Sequence, residues 1–485
     1  GRLITATIPY YRLYMDLGVG FYKSEKGRKF YYENIDSLSI CLSRKFGDKS
    51  PGEYRAMIDA AFTKGNRRLK LYSKRVSYID MMEVKQFPLF RIGRNKSGFF
   101  VEESFNRENL YGSLANRTLG DIYGSDGRGQ YGLELKYDSL LAGEKGKAKG
   151  HLVGNGNWVF VEEKPAKRGA DIYTTIDIEM QDICETVLRE KLDVIKAKNA
   201  CLVLMEVKTG KIKSMVNLQR ASDGGYFEGW NMAVADLSEP GSTFKTMSLM
   251  VALDHNVCDT ADTVNLNHGV WMFHKSKMTD HNWRKGGYDT LSVAGILAQS
   301  SNVGVSRIID ENYKSDPMKF IDAITATGFA EKLDFGVPGT SVPKIPTPKS
   351  KSWSRVALPW MSIGYAVQVP PIYTLNYYNA IANGGKLMRP YLVREIRRDG
   401  HVIMKNSPEV INSSICKNST LKKVQGMLEG VVEYGTAKSI ASDLFPIAGK
   451  TGTAQISQGS AGYNKNYTYT NHLIENTGLQ TKMMF

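Results

Sequence analysis

The chain has 485 residues, of which 42% are hydrophobic and 23% charged, and its 64 Lys and Arg against 49 Asp and Glu give a formal net charge of +15. That length predicts two or three folded domains with real cores, and the lack of any low-complexity tract excludes a disordered chain. The basic residues are spread out and no nucleic-acid motif accompanies them, so the charge reads as a solvated shell with some attraction to an anionic wall polymer or membrane surface, and nucleic acid is excluded as a partner.

Residues 1–166 read as mixed short elements: a strand-like start, a helix near Gly52 to Lys64, then Tyr- and Phe-rich alternation from Val76 to Val101. Nothing there looks like a reaction centre. The glycine-rich turns from Gly124 to Gly132 lack the strand-turn-helix context of a phosphate loop. Lys164-Pro-Ala-Lys-Arg-Gly169 is charged, carries breakers at both ends and reads as a linker, which divides the chain into 1–166 and 167–485.

Beyond the linker, Asp177 is placed to cap a helix whose apolar positions are Met180, Ile183, Cys184, Val187, Leu188 and Ile195. Two strands follow, Cys201 to Glu206 and Lys211 to Leu218, joined at Lys208-Thr209-Gly210. A helix followed by a hairpin predicts a sheet with a helix packed on it. Next comes Glu239-Pro-Gly-Ser-Thr-Phe-Lys245, where Pro240 and Gly241 break the chain and Phe244, Met247, Met250, Val251 and Leu253 set a helical period. Ser242 then starts a helix with Lys245 one turn along it, so that a hydroxyl and an amine can meet where the helix N-terminus favours developing negative charge. That is a way to build a nucleophile and its base. An N-cap serine with a solvated lysine is the ordinary alternative, and Ser341/Lys344, Ser414/Lys417 and Ser419/Lys422 share the spacing.

The stretch from Leu253 to Ser300 is loop-rich, and its histidines, His255, His268, His274 and His281, have no ligand spacing, so no metal and no cofactor is expected. Leu291 to Gln299 is a short helix running into Ser300-Ser301-Asn302, and Val303, Val305, Ile308 and Ile309 begin another. Ser300 and Asn302 therefore sit on a turn that can aim polar tips at a site, although a hydrated turn has the same composition. Pro370-Pro371 opens a helix ending at Asn383-Gly384-Gly385, and a last long helix carries Leu421, Val424, Leu428, Val431 and Val432. Lys450-Thr451-Gly452-Thr453 then lies in a strand running to Ser457. Ser104-Phe105-Asn106 and Lys208-Thr209-Gly210 imitate the second and third motifs but precede Ser242, so only one ordered set remains.

Cys41, Cys184, Cys201, Cys258 and Cys416 are odd in number and far apart, which argues against a disulfide framework. There is no apolar run of eighteen residues and no signal peptide.

The set S-x-x-K, S-x-N, K-T-G is the pattern of penicillin-binding proteins and class A β-lactamases. From Gly169 to Gln455, with E-P-G-S-T-F-K, S-S-N and K-T-G-T-A-Q in that order, the sequence resembles the transpeptidase domain of a class B penicillin-binding protein. Leu110 to Gly124 and Gly132 to Asp138 resemble the non-catalytic pedestal of the same class, and among its members the chain most resembles the division-specific, septal type of Bacteroidetes. The resemblance implies a multidomain α+β fold: a pedestal of the dimerisation type, then a domain with an antiparallel sheet flanked by helices and a helical subdomain. It implies a peptidoglycan D,D-transpeptidase that cross-links stem peptides ending in D-Ala-D-Ala and is acylated by β-lactams. Ser242 is then the nucleophile, Lys245 the general base and Lys450 a second cation favouring the neutral form of that base. Ser300 relays the proton, and Asn302 binds the substrate backbone or holds Lys245. Thr451 and Thr453 bind the substrate carboxylate, the N–H groups of Ser242 and Thr453 form an oxyanion hole, and Gly452 lets the substrate lie against the strand. The first ten residues resemble the segment after a membrane anchor, which implies attachment to the inner membrane with the catalytic domains in the periplasm, beside a membrane-embedded glycosyltransferase and other division proteins. A D,D-carboxypeptidase or β-lactamase shares the motifs, and a catalytically silent scaffold of the division machinery shares the pedestal.

The tail departs from that pattern. Gly459 to Phe485 is rich in Asn, Thr, Tyr and Gly without a strongly apolar run, and only Tyr467 and Tyr469 alternate as a weak strand does. The expectation is an incomplete or altered C-terminus that leaves the Lys450 to Ser457 strand an unpaired edge, with weak acylation and a tendency to aggregate.

Overall fold

The computed structural model describes residues 1–124, 127–153, 157–334, 336–457, 463–476 and 481–484. It divides into two compact units, Leu3–Leu110 and Tyr111–Phe485 with Gly1–Arg2.

In the first unit, β1 (Thr5–Met15) is the central strand of three. After it come α1 (Glu25–Phe46), capped by Ser24, and α2 (Pro51–Thr63), where Ser50 and Glu53 form a reciprocal capping box ahead of a proline in the first turn. The strands β2 (Leu69–Lys70) and β3 (Phe99–Asn109) pair antiparallel with β1, giving the order β2-β1-β3. Tyr31, Ile35, Leu38, Leu42, Tyr54 and Ile58 from the two helices are fully buried, and Tyr31 stacks on Phe62 with centroids 3.9 Å apart. The alternation expected from Val76 to Val101 is not a strand over most of its length. Ser77 accepts from the Asp80 N–H and caps a helix, Tyr78–Lys85, and a helical turn spans Arg94–Ser97, so strand geometry begins only at Phe99. A cap decided the matter against the aromatic pattern.

In the second unit, a hairpin pairs Lys147–Val153 with Asn157–Lys164. The segment read as a linker is tied down: Glu144 and Lys167 exchange backbone hydrogen bonds of 2.9 Å, and the Lys164 and Lys167 ammonium groups lie 2.9 and 2.8 Å from the Glu144 carboxylate. Asp177 caps α3 (Ile178–Ile195), accepting from the Glu179 and Met180 N–H groups. The hairpin β4 (Asn199–Glu206) and β5 (Ile212–Arg220) follows as expected, with β6 (Tyr226–Glu228) beside it. The helical part holds α4 (Lys245–Asp254), a short hairpin of β7 (Val270–Phe273) and β8 (Ser276–Thr279), α5 (Val293–Ala298), α6 (Asn302–Tyr313), α7 (Pro371–Ala382) and α8 (Asn418–Glu433). The chain then returns to the sheet as β9 (Ile447–Ser457), β10 (Tyr463–Asn476) and β11 (Thr481–Met484).

The sheet is antiparallel throughout, in the order β9-β10-β11-β4-β5-β6. This corrects the expectation of an unpaired Lys450 strand. β9 is the outermost strand, but its inner edge is paired with β10, with Lys450 opposite Leu473 and Thr453 opposite Thr470, and β11 joins that ribbon to β4. A run of Tyr and Thr favours extended backbone without any apolar run in the sequence, so apolar runs do not mark it. Of the tail, residues 458–462, 477–480 and 485 lie outside the described residues, as do 125–126 of the glycine-rich turns.

A second correction concerns α3. Its buried face is Ile178, Gln181, Cys184, Glu185, Leu188 and Leu192, while Met180, Ile183, Val187 and Ile195 are exposed. Gln181 sets the face: its amide nitrogen donates to Met215 O at 3.1 Å, and its oxygen accepts from Met215 N at 2.9 Å and Ser214 Oγ at 3.0 Å. Such a polar lock on β5 fixes the rotation of the helix.

Candidate active site

Ser242 lies in a 3-10 turn, Gly241–Phe244, that feeds directly into α4. Gly241 has φ +56, and a Cβ there would stand 2.9 Å from Thr453 O, so glycine lets β9 close on the serine's turn. Gly241 N donates to Gly364 O at 3.2 Å, and the Glu239 carboxylate accepts from Ala366 N at 2.7 Å, which anchors the turn to a second loop. Among the described residues the partly buried Ser242 hydroxyl takes no hydrogen bond.

Lys245 is the first residue of α4 and is fully buried. Its Nζ donates to the Ser300 carbonyl at 2.6 Å and lies 3.3 Å from Ser300 Oγ. From the opposite side Lys450 Nζ, 1% exposed, donates to Ser300 Oγ at 2.8 Å and to Thr451 O at 2.8 Å. Ser300 holds this place with φ +55, a left-handed conformation that a side chain adopts only where its surroundings impose it. Burial drives the Lys245 amine down to about 7, opposed by the Asp280 carboxylate, and burial drives Lys450 well below the usual lysine range, with the neighbouring Lys245 acting in the same direction.

Asp280 is the residue that sequence reading missed. It is 2% exposed, its Oδ2 accepts from Ser301 Oγ at 2.7 Å, and its Oδ1 accepts from the N–H groups of Asn302 at 2.6 Å and Val303 at 2.9 Å. The carboxylate thus caps the N-terminus of α6 and fixes the S-S-N turn against α4. A lone Asp in a loop, twenty-odd positions upstream of its partners, carries no local signal of that role.

The remaining residues divide. Asn302 is the first residue of α6, and its Nδ2 donates to Thr279 O at 2.8 Å; among the described residues it makes no hydrogen bond to Lys245. Thr451 Oγ1 and Thr436 Oγ1 lie 3.0 Å apart, Thr453 is exposed, and Gly452 is buried. Strand alternation sends Thr451 and Thr453 to one face of β9 and Lys450 to the other. The three decoys are not assembled in this way. Lys344 is extended, bridged to Gln368; Lys417 Nζ donates to Asp254 O at 2.5 Å; Ser419 and Lys422 are both exposed at the start of α8. Ser104 and Asn106 lie in β3, and Lys208 to Gly210 form the turn between β4 and β5. No group of three His, Cys, Asp or Glu able to hold a metal occurs among the described residues, and among them no helix is long and apolar enough to cross a membrane.

The site brings together a hydroxyl at a helix start, a buried amine one turn along whose proton affinity burial lowers, a second buried amine, and a serine that touches both amines.

Residues 200–477 match the family model described as the penicillin binding protein transpeptidase domain, and residues 1–174 match that of the penicillin-binding protein dimerisation domain. The chain is 29% identical over 417 residues to a probable peptidoglycan D,D-transpeptidase of Pseudomonas aeruginosa, covering 83% of this chain and 68% of that protein. It is 28% identical over 402 residues to stage V sporulation protein D of Bacillus subtilis, covering 79% and 58%. Its fold superposes on penicillin binding protein 2X of Streptococcus thermophilus with a TM-score of 0.81 at 22% identity, over 100% of this chain and 74% of that one. For penicillin binding protein 3 of Mycobacterium tuberculosis, solved with ampicillin, the TM-score is 0.67 at 24% identity, over 79% and 84%.

Proposed function

The chain belongs to the class B penicillin-binding proteins, the peptidoglycan D,D-transpeptidase family, and from that premise we propose that it cross-links peptidoglycan stem peptides through an acyl-enzyme on Ser242. The observation that carries this reading is the convergence of Lys245 and Lys450 on Ser300 Oγ, at 3.3 and 2.8 Å, beside the turn that bears Ser242.

Lys245 accepts the Ser242 proton as Oγ attacks the carbonyl between the two terminal D-alanines. The carbonyl carbon becomes tetrahedral and its oxygen takes the negative charge, next to the N–H groups of Ser242 and Thr453. Collapse breaks the C–N bond, and the amine leaves with a proton passed through Ser300, whose hydroxyl touches both lysines. An amine from a second strand then attacks the ester, which frees Ser242 and gives the cross-link. Asn302, with its Nδ2 on Thr279 O, acts by holding the turn; its carbonyl oxygen can accept from the substrate backbone. The reading extends to a septal role, to a membrane-anchored periplasmic setting and to work beside a glycosyltransferase and other division proteins, which the family and the pedestal match support.

Mass spectrometry of the purified chain after treatment with a penicillin tests the reading. One adduct, on Ser242, is expected. An unmodified chain, or an adduct that survives Ser242→Ala, overturns it, and the first of these outcomes favours the silent scaffold.

A further inference from the structure

The segment from Val270 to Gly287 joins the S-S-N turn through two contacts already described, Asn302 Nδ2 on Thr279 O and the Asp280 carboxylate on Ser301, Asn302 and Val303. Lys275, Lys277, Arg284 and Lys285 are all exposed on it. Among the described residues none of the four has a carboxylate partner. Of the acidic groups close by, Asp280 is buried under the turn, Glu311 holds Arg307, Asp289 lies 3.8 Å from the His268 ring, and Asp310 is partly buried near His274. Two of the free cations are gathered on one ring. Lys277 Nζ lies 4.3 Å and the Arg284 guanidinium 5.3 Å from the centroid of Trp283. The indole holds the two positive charges near each other without neutralising them, whereas the neighbouring Trp271 holds Arg307, which is already paired. Like charges so placed repel, and a ligand bearing negative charge relieves that repulsion.

We propose that the Lys277–Trp283–Arg284 cluster binds the carboxylate-bearing part of an acidic peptide, the portion of the substrate that runs from the scissile bond past the S-S-N turn. This rests on the acyl-transfer reading of Ser242. The guanidinium supplies a fork for a carboxylate, the ammonium a point charge, and the indole a flat wall for the peptide's aliphatic atoms.

The test is titration calorimetry on the 485-residue chain carrying Ser242→Ala, so that binding is read without acylation. Two synthetic peptides ending in D-Ala-D-Ala are compared, one with a glutamate upstream of that end and the other with glutamine in its place. The glutamate peptide is expected to bind more tightly, with a preference that fades as salt is raised because the cations are exposed. Lys277→Ala with Arg284→Ala lowers its affinity about tenfold, the order for two exposed charge pairs, and leaves the glutamine peptide unchanged. The charge-keeping pair Lys277→Arg with Arg284→Lys retains the preference, which separates charge from packing on the ring. Equal affinities for the two peptides, or an equal loss for both in the alanine variant, overturn the proposal. Failure of the acyl-enzyme reading shows elsewhere, as a missing penicillin adduct on the chain with Ser242 intact.

Discussion

Two helix starts in this chain carry the same four-residue pattern and differ in what the rest of the fold brings to them. Ser242 and Lys245 open α4; Ser419 and Lys422 open α8. Both place a hydroxyl and an amine one turn apart. At α4 the amine is sealed from water and meets Ser300, which meets Lys450; at α8 both side chains are exposed. The local spacing therefore supplies geometry, and the long-range partners supply the reactivity, because it is burial that drives the Lys245 amine toward its neutral form. The largest effect expected follows from this. Lys245→Ala slows acylation by a penicillin by about 10²- to 10⁴-fold, the range for removing a general base. Lys422→Ala leaves it unchanged. Stopped-flow acylation of the two variants decides the point, and similar losses in both would mean that the wrong pair was chosen.

The same contrast holds for glycines in the left-handed region. Gly241 (φ +56) has Thr453 O in the way of any Cβ, whereas Gly384 (φ +66) has nothing within 4 Å. Gly384→Ala is expected to cost about 1–2 kcal/mol from backbone conformation alone, with acylation intact. Gly241→Ala carries that cost and also pushes β9 from the serine's turn. Acylation should fall along with stability, and a Gly241→Ala chain that loses stability yet acylates at the normal rate would refute the link between that glycine and the strand.

A third effect is a shift in pH dependence. Lys245 must be neutral to take a proton, so acylation rises as pH passes about 7 and levels off above it. Stability runs the same way. Between about 7 and the ordinary lysine value of 10.5 the unfolded chain binds a proton at Lys245 that the folded chain does not, so stability climbs with pH across that window. Asp280 favours the ammonium form, and removing its charge in Asp280→Asn moves the acylation limb to lower pH. The plateau rate falls as well, by about tenfold, since the variant loosens charge-assisted bonds to the S-S-N turn. A pH–rate profile separates the two effects. A limb displaced to higher pH would show that Asp280 does not act on Lys245 as the charge argument requires.

The three motifs, their order and the hairpin β4–β5 were legible because each is local: a breaker before a helix, a turn between apolar runs, a strand signature. Asp280 was not, since its partners lie some twenty positions downstream and nothing in a loop aspartate marks it as a cap. The ribbon β10–β11 was not legible because Tyr and Thr alternate there without an apolar run in the sequence, so nothing local marked the strands that pair between β9 and β4. The helix after Ser77 was missed for the opposite reason, an aromatic alternation overruled by one cap.

The smallest effect concerns α3, where periodicity was right and rotation was wrong. Two stripes of this helix are apolar enough to serve as its inner face, and hydrophobicity alone does not choose between them. Gln181 does, because its amide makes three hydrogen bonds with the backbone of Met215 and the hydroxyl of Ser214, and only one rotation places it there. Ile183, though large and apolar, is left 63% exposed, and Leu188 is 5% exposed. Ile183→Ser should therefore change stability by no more than about 0.5 kcal/mol, as for other surface positions, whereas Leu188→Ala should cost about 2–5 kcal/mol for the cavity it leaves. Gln181→Leu falls between them: it gains apolar area but strands the Met215 N–H and carbonyl without partners, a cost of about 1–3 kcal/mol per buried group. Urea unfolding followed by circular dichroism ranks the three. If Ile183→Ser proves as damaging as Leu188→Ala, then the helix presents the face that its apolar spacing suggested, and the lock at Gln181 is not what sets its rotation.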